Sequence, residues 1–262
     1  MSSAAQDGVA GALRRLGAFA TGGLARLGYA ARFFVAVAIN TPAAFRRLHL
    51  TLREIYFSGV LSLIIILVSG LFVGMVLALQ GYDVLQRYGA DESLGILVAL
   101  SLVRELGPVV AGLLVASRAG SAVTAEIGLL QATEQLAAME MMAVDPLARV
   151  VAPRFWGGVI SMPLLAALFS TLGVFGAYLV GVRLIGIDAG AFWGNMQASV
   201  DFRFDIVNGV IKSIVFGVAV SMLAVFEGYD AKPTAEGVST ATNTPTHRSS
   251  AERFRFIRLP GT

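Results

Sequence analysis

Charged residues interrupt the most apolar stretches of this sequence. The run at 94–117 contains Arg104 and Glu105, and the run at 206–226 contains Lys212 near its start. A charge inside a membrane span costs roughly 2.5–3.5 kcal/mol on insertion scales, so such residues are usually paired or functional. Opposite charges at similar depth can pair, which offsets part of the desolvation cost. We predict that Glu105 and Lys212 pair, serving either transport or helix packing.

A second group of charges follows the run at 94–117. The segment 122–145 is amphipathic and carries Glu126, Glu134 and Glu140. A membrane span that leads directly into a short surface helix suits a contact with a soluble protein. The alternative is an acidic face that is simply solvated. The residues alone leave both interpretations open.

Composition limits the class of protein. Hydrophobic residues make up 56% of the chain and charged residues only 14%, far below the usual charged fraction of about 25% in soluble domains. The sequence has no cysteine, which excludes disulfides and thiolate metal sites. The two histidines, His49 and His247, lie outside the apolar runs, which argues against a membrane-embedded enzyme. No glycine-rich loop precedes a lysine as in a phosphate-binding loop, so any ATP hydrolysis belongs to another chain.

Four apolar runs are long enough to cross a bilayer. Polar residues separate them, and we predict polar loops at 83–92 and 188–205. Gly70 and Gly74 form a GxxxG pair in the first run, which indicates close helix packing either within the chain or between two chains. The sequence therefore predicts an all-α, polytopic membrane protein with four clear spans: 58–82, 94–117, 155–182 and 206–226.

The N-terminal residues 1–55 are rich in arginine and have no signal-peptide pattern. Leucines and phenylalanines between the arginines favour an arm of interfacial amphipathic helices, with a disordered basic tail as the alternative for about the first ten residues. Because basic residues mark the cytoplasmic side, we expect the N-terminus and the 122–145 segment to be cytoplasmic. The two polar loops then face the opposite compartment.

Five stretches between about residues 50 and 240 form one distinctive pattern: SGLFVGMVLALQGY, LVALSLVRELGPVVAGLLVASRAGSAVTAEIG, ATEQLAAMEMMAVDPLARVVAPRFW, FDIVNGVIKSIVFG and FEGYDAKPTAEGVS. In these stretches the sequence resembles the MlaE family of permease subunits. The resemblance implies a permease domain at 56–230, in an ABC transporter that moves phospholipids between the bacterial inner membrane and periplasmic carriers. It also implies a homodimer with cytoplasmic ATPase subunits and periplasmic MCE-domain subunits. This chain would bind no cofactor, metal or nucleic acid, since ATP and Mg belong to the ATPase.

The resemblance also implies roles for particular residues. The segment 122–145 is similar to a coupling helix that meets the ATPase, through Glu126, Glu134, Glu140 and Asp145. Transport residues of the family match Glu105, Lys212, Arg104 and Asp205, and the alternative is an ion-pair network that only fixes helix packing. The family positions that line a lipid pocket at the dimer axis match Leu77, Val84 and Leu85. Tyr82 and Trp156 are either pocket residues or interface anchors.

The C-terminal part departs from the family. A fifth apolar span is expected after AEGVSTAT, but residues 244–262 are polar and charged. We predict either a disordered cytoplasmic tail at 231–262 or a frameshift near Asn243 that alters the fifth span. A competing function is an ion-coupled secondary carrier that uses Glu105 as its proton site. Such a carrier usually shows internal repeats and more spans, and this sequence shows neither.

Overall fold

The computed structural model describes residues 21, 24–25, 27–46 and 48–231, and these contain helices and no β-strand. Four of the helices are long and apolar enough to cross a membrane, which confirms the predicted polytopic all-α fold. The predicted tail at 231–262 and the frameshift near Asn243 lie outside the described residues, apart from Ala231. The helices are α1 (Leu27–Ile39), α2 (Thr41–Arg46), α3 (Leu48–Arg87), α4 (Asp91–Ala132), α5 (Gln135–Met141), α6 (Leu147–Leu184), α7 (Ala189–Ser199) and α8 (Phe202–Tyr229).

The spanning helices are longer than the apolar runs that predict them. Part of the predicted polar loop at 83–92 is helical, since α3 continues to Arg87, where the side chains of Asp83 and Arg87 form an ion pair of 2.9 Å. Gly89, with φ +65°, ends this helix in the left-handed conformation that favours glycine. Hydropathy marks only the part of a helix that lies in lipid, whereas the helix itself ends where the backbone must turn.

The predicted polar loop at 188–205 is also wrong in part, because it contains the 11-residue helix α7. Asp188 caps this helix by accepting a hydrogen bond from the Ala191 N–H at 2.7 Å. Phe192 is completely buried and packs edge-on against Tyr178 of α6. A short helix with one anchoring side produces no long apolar run, so hydropathy could not reveal it.

Close packing of α3 against α6 forms the centre of the bundle. A Cβ added at Gly74 would collide with the Gly173 backbone, and one added at Gly70 would lie 2.8 Å from the Phe169 carbonyl oxygen. The GxxxG pair therefore serves packing within this chain. A second cluster joins α1 to α8, where Phe33 of α1 contacts the Phe226 ring at 5.7 Å between centroids. The interfacial position of the N-terminal arm stays a prediction.

Candidate functional site

The charged residues of the second and fourth spans meet in one group. The Lys212 Nζ atom lies 2.7 Å from Glu105 Oε2, which confirms the predicted pairing. Arg104 lies 3.8 Å from Asp205 Oδ1 through Nη1, and 3.9 Å from Glu105 Oε1 through Nε. We call these four residues the charged cluster. The structure brings together all four predicted residues, while their roles in transport stay predictions.

A backbone carbonyl oxygen of α4 also takes part in this cluster. The segment Ser101–Leu106 is π-helical, and Pro108, which has no backbone N–H, follows it. The Lys212 Nζ atom donates to the Arg104 carbonyl oxygen of this segment at 3.0 Å. The ammonium group thus satisfies a backbone acceptor and a carboxylate on α4 together. This double contact ties the fourth span to the second at one point.

The beginning of α8 holds Asp205 in place. Asp205 is buried, and its Oδ2 atom accepts a hydrogen bond from the Asp201 N–H at 2.9 Å. Asp201 in turn accepts from the Arg203 N–H at 2.8 Å and begins the helix. This reciprocal arrangement resembles a capping box, in which two side chains bond to free backbone donors at a helix start. The cap fixes the carboxylate that faces Arg104.

The charged cluster is open on one side of the isolated chain. Side-chain exposure is 53% for Arg104, 61% for Glu105 and 38% for Lys212. Charged side chains inside a membrane almost always face the interior of a protein assembly or a water-filled cavity rather than lipid. The open side therefore requires a polar neighbour, either water or another protein chain.

A cavity of about 700 Å³ lies beside the charged cluster. Its walls come from α4, α6, α7 and α8, and they include Val103, Ile206 and Ser213, each one residue from a member of the cluster. The lining is almost entirely apolar and includes the aromatic rings of Phe175, Trp193 and Phe202. This volume lies within the range of about 300–1,000 Å³ that is typical of small-molecule sites.

The five candidate lipid-pocket residues do not line this cavity. Leu77, Tyr82 and Leu85 are partly buried against the main core, and Val84 is 52% exposed. Trp156 lies apart from them at the other end of the bundle, where its indole N–H donates to Thr41 Oγ1 at 3.2 Å. Trp156 thus anchors α2 to α6. A lipid pocket formed between two chains stays a prediction for all five residues.

The 122–145 segment differs in shape from the predicted surface helix. The helix α4 continues unbroken to Ala132, a turn follows with Glu134 at φ 57°, and α5 is only seven residues long. Glu134 and Glu140 are exposed. Glu126 forms an ion pair with Arg154 at 3.1 Å, and Asp145 Oδ1 accepts from the Leu147 N–H at 2.8 Å. Two of the four predicted coupling residues, Glu126 and Asp145, thus make contacts within the chain.

The structure also reveals an ion pair that sequence reasoning missed. The Arg154 Nε atom lies 3.7 Å from Glu54 Oε1 of α3, and both side chains are largely buried. Glu54 precedes the first apolar run and Arg154 precedes the third, so neither interrupts a predicted span. No spacing rule links two residues that lie 100 positions apart. The only available signal was the concentration of charge beside the ends of the runs.

The described residues define a polytopic all-α membrane protein whose second and fourth spans share a charged cluster beside an apolar cavity. A family model described as Permease MlaE matches residues 51–251, which is most of the sequence. The chain belongs to the MlaE permease family. The match runs eight residues past Asn243, and the frameshift stays a prediction.

Relatives from three bacteria each match most of the chain. The intermembrane phospholipid transport system permease protein MlaE of Haemophilus influenzae is 57% identical over 82% of this chain and 83% of its own length. A probable ABC transporter permease protein of Rickettsia typhi is 37% identical over 78% of each chain. Another from Synechocystis is 34% identical over 74% of this chain and 73% of its own length.

Proposed function

We propose that this chain is the permease subunit of an ABC transporter that moves phospholipids between the bacterial inner membrane and periplasmic carriers, maintaining outer-membrane lipid asymmetry. The observation that carries the proposal is the 57% identity, over most of both chains, to a protein named as the permease of an intermembrane phospholipid transport system. The permease performs no covalent chemistry. A separate ATPase subunit binds ATP and Mg and hydrolyses the nucleotide.

The turn between α4 and α5 is the proposed contact with that ATPase. Glu134 and Glu140 are exposed and offer carboxylates to basic groups of the partner. Met141 and Met142 are also exposed, and flexible methionine side chains suit a protein contact. Leu136 is buried and anchors α5 beneath this surface. The turn and the N-terminus lie on the cytoplasmic side in this proposal, as the distribution of arginine indicates.

A second copy of the chain is the proposed neighbour of the charged cluster. Arg104 and Glu105 are more than half exposed at bilayer depth, a position that is costly unless a polar surface or water covers them. In a homodimer, the outer face of α3, which includes Val84, would contribute to a lipid pocket at the axis. Periplasmic MCE-domain subunits would receive phospholipid from that pocket.

A secondary carrier that uses Glu105 as a proton site has less support. The Glu105 carboxylate contacts both Lys212 and Arg104, so its negative charge is already balanced by two cations. The Rickettsia and Synechocystis relatives are named as probable ABC transporter permeases. No specific observation favours the carrier.

The experiment that tests the proposal is purification of the tagged chain in detergent after co-expression with its neighbouring genes. Mass spectrometry then identifies the proteins and lipids recovered with it. We expect an ATPase, an MCE-domain protein and phospholipid. The variant Glu140→Lys should lose the ATPase but keep the lipid, whereas Glu92→Lys, at an exposed site at the beginning of α4, should keep both. Recovery of the chain without any ATPase would refute the proposed assembly.

A further inference from the structure

The side chain of Arg154, near the beginning of α6, contacts carboxylates on two other helices. Its Nη2 atom donates to Glu126 Oε2 of α4 at 3.1 Å, and its Nε atom lies 3.7 Å from Glu54 Oε1 of α3. Its Nη1 atom donates to the Val150 carbonyl oxygen at 3.4 Å. We call the three charged residues the Arg154 bridge. It joins the first three spans at the end of the bundle opposite α7.

Burial distinguishes the Arg154–Glu54 pair of the bridge from an ordinary surface ion pair, while the Glu126 side chain is 56% exposed. Arg154 is 16% exposed and Glu54 is 18% exposed, whereas the Asp83–Arg87 pair on α3 is about 70% exposed. The Arg154 Nε atom is buried and makes no hydrogen bond among the described residues, and the Glu54 carboxylate at 3.7 Å is the anionic group that faces it. Loss of one partner from a buried pair leaves the other charge uncompensated.

Backbone packing holds the bridge in this geometry. Gly157 lies one turn after Arg154, and a Cβ at this position would lie 2.7 Å from the Glu54 Cβ atom. The helices α3 and α6 therefore approach closely beside the bridge. On the other side, Thr124 of α4 donates from Oγ1 to the Ala224 carbonyl oxygen of α8 at 3.0 Å. The end of α4 is thus fixed to α8 directly and to α3 through Arg154.

We infer that Arg154 is a positioning residue that transmits movement of the 122–145 segment to the first span. The inference rests on the proposed function, in which the ATPase pushes on the turn after Ala132. Glu126 lies about two helical turns before that turn on the continuous helix α4, so it moves with the turn. Arg154 passes this movement to Glu54, and Glu54 belongs to the continuous helix α3.

Hydrogen–deuterium exchange on the full chain in detergent, with and without the co-purified ATPase subunit, tests this inference. In the wild-type chain, ATPase binding should slow exchange both in the 122–145 segment and in peptides that cover residues 48–57. In Arg154→Gln the first change should persist and the second should disappear. Phospholipid transferred per ATP hydrolysed should fall at least about fivefold, the lower end of typical coupling between sites.

Three further variants separate coupling from folding. Glu54→Gln keeps the contact between Arg154 and Glu126, so it should lose only the response at residues 48–57 even where Arg154→Gln folds poorly. Arg154→Lys keeps the charge but has no planar fork to reach two carboxylates, so it should recover part of the coupling. Asp83→Asn removes an exposed ion pair of α3 and should behave as the wild type.

Failure of the coupling role and failure of the proposed function give different experimental results. A response at residues 48–57 that persists in both Arg154→Gln and Glu54→Gln, with normal transfer per ATP, would overturn the coupling role alone. A wild-type 122–145 segment that does not respond to the ATPase would overturn the proposed function, and the coupling role with it. Equal losses in Asp83→Asn and Glu54→Gln would show a general effect of charge removal and would also overturn the coupling role.

Discussion

Replacing Gly74 by alanine should destabilise the bundle, because α3 and α6 touch through their backbones at this point. The added Cβ would lie 2.5 Å from the carbonyl carbon and 2.7 Å from the Cα atom of Gly173. Carbon atoms prefer separations of about 3.5–4.0 Å, so the helices would have to move apart by about 1 Å. A gap of that size forfeits roughly a quarter to a half of the dispersion attraction at each affected contact.

The expected cost follows from the rigidity of the obstacle. Overpacking a well-packed core costs typically about 1–3 kcal/mol, and a backbone obstacle cannot rotate away as a side chain can. We expect a loss of about 2 kcal/mol for Gly74→Ala. At about 2–4 °C per kcal/mol for a chain of this size, the melting temperature should fall by about 4–8 °C. Thermal unfolding of the purified protein in detergent measures this shift.

Gly59→Ala provides the matched control on the same helix. A Cβ at Gly59 would meet only the Ser161 Oγ atom, at 3.8 Å, which is an ordinary contact. This variant should be unchanged or gain up to about 1 kcal/mol from helix propensity. Equal melting temperatures for the two variants would refute the packing argument. A Gly74→Ala variant with unchanged stability but weaker self-association would instead indicate that the GxxxG pair joins two chains.

Two further predictions concern the charged cluster. Glu105→Lys and Lys212→Glu each place like charges together and should strongly lower the rate at which labelled phospholipid is transferred from proteoliposomes. The double variant should transfer about tenfold faster than either single variant. No recovery would contradict pairing as the basis of their role. Pro108→Ala adds a backbone N–H after the π-helical segment and should compete with Lys212 for the Arg104 carbonyl oxygen, which lowers transfer without loss of melting temperature. Unchanged transfer would refute the importance of the bond from Lys212.

The spans and the pairing of Glu105 with Lys212 follow from sequence for one physical reason. Lipid imposes a strong and local constraint, since uncharged runs must cross it and charges within it must find partners. Both features therefore leave a trace in the sequence itself. The same constraint ends at the membrane surface, which explains why hydropathy placed the first span at 58–82 while the helix runs from Leu48 to Arg87.

Features outside the apolar runs could not be predicted in this way. The helix α7 is held by its Asp188 cap and by burial of Phe192, and both depend on a surface that α6 supplies from elsewhere in the chain. The Arg154 bridge depends on how three helix ends converge. The sequence shows that Glu126 lies on a charged segment. It does not show that Glu126 pairs with Arg154 of the same chain. Sequence patterns register local periodicity, whereas these contacts are products of the tertiary fold.

The unbroken course of α4 connects the two charged sites of the molecule. Glu105 belongs to the charged cluster and Glu126 to the Arg154 bridge, and 21 residues separate them on this helix. At about 1.5 Å of rise per residue, the two carboxylates are about 30 Å apart along the axis, roughly the thickness of the hydrocarbon core. Between the two sites α4 contains Pro108 and the π-helical segment Ala116–Gly120, which are features at which helices bend. A shift of the 122–145 segment would reach Glu105 along α4 through these features, while Arg154 carries it sideways to α3.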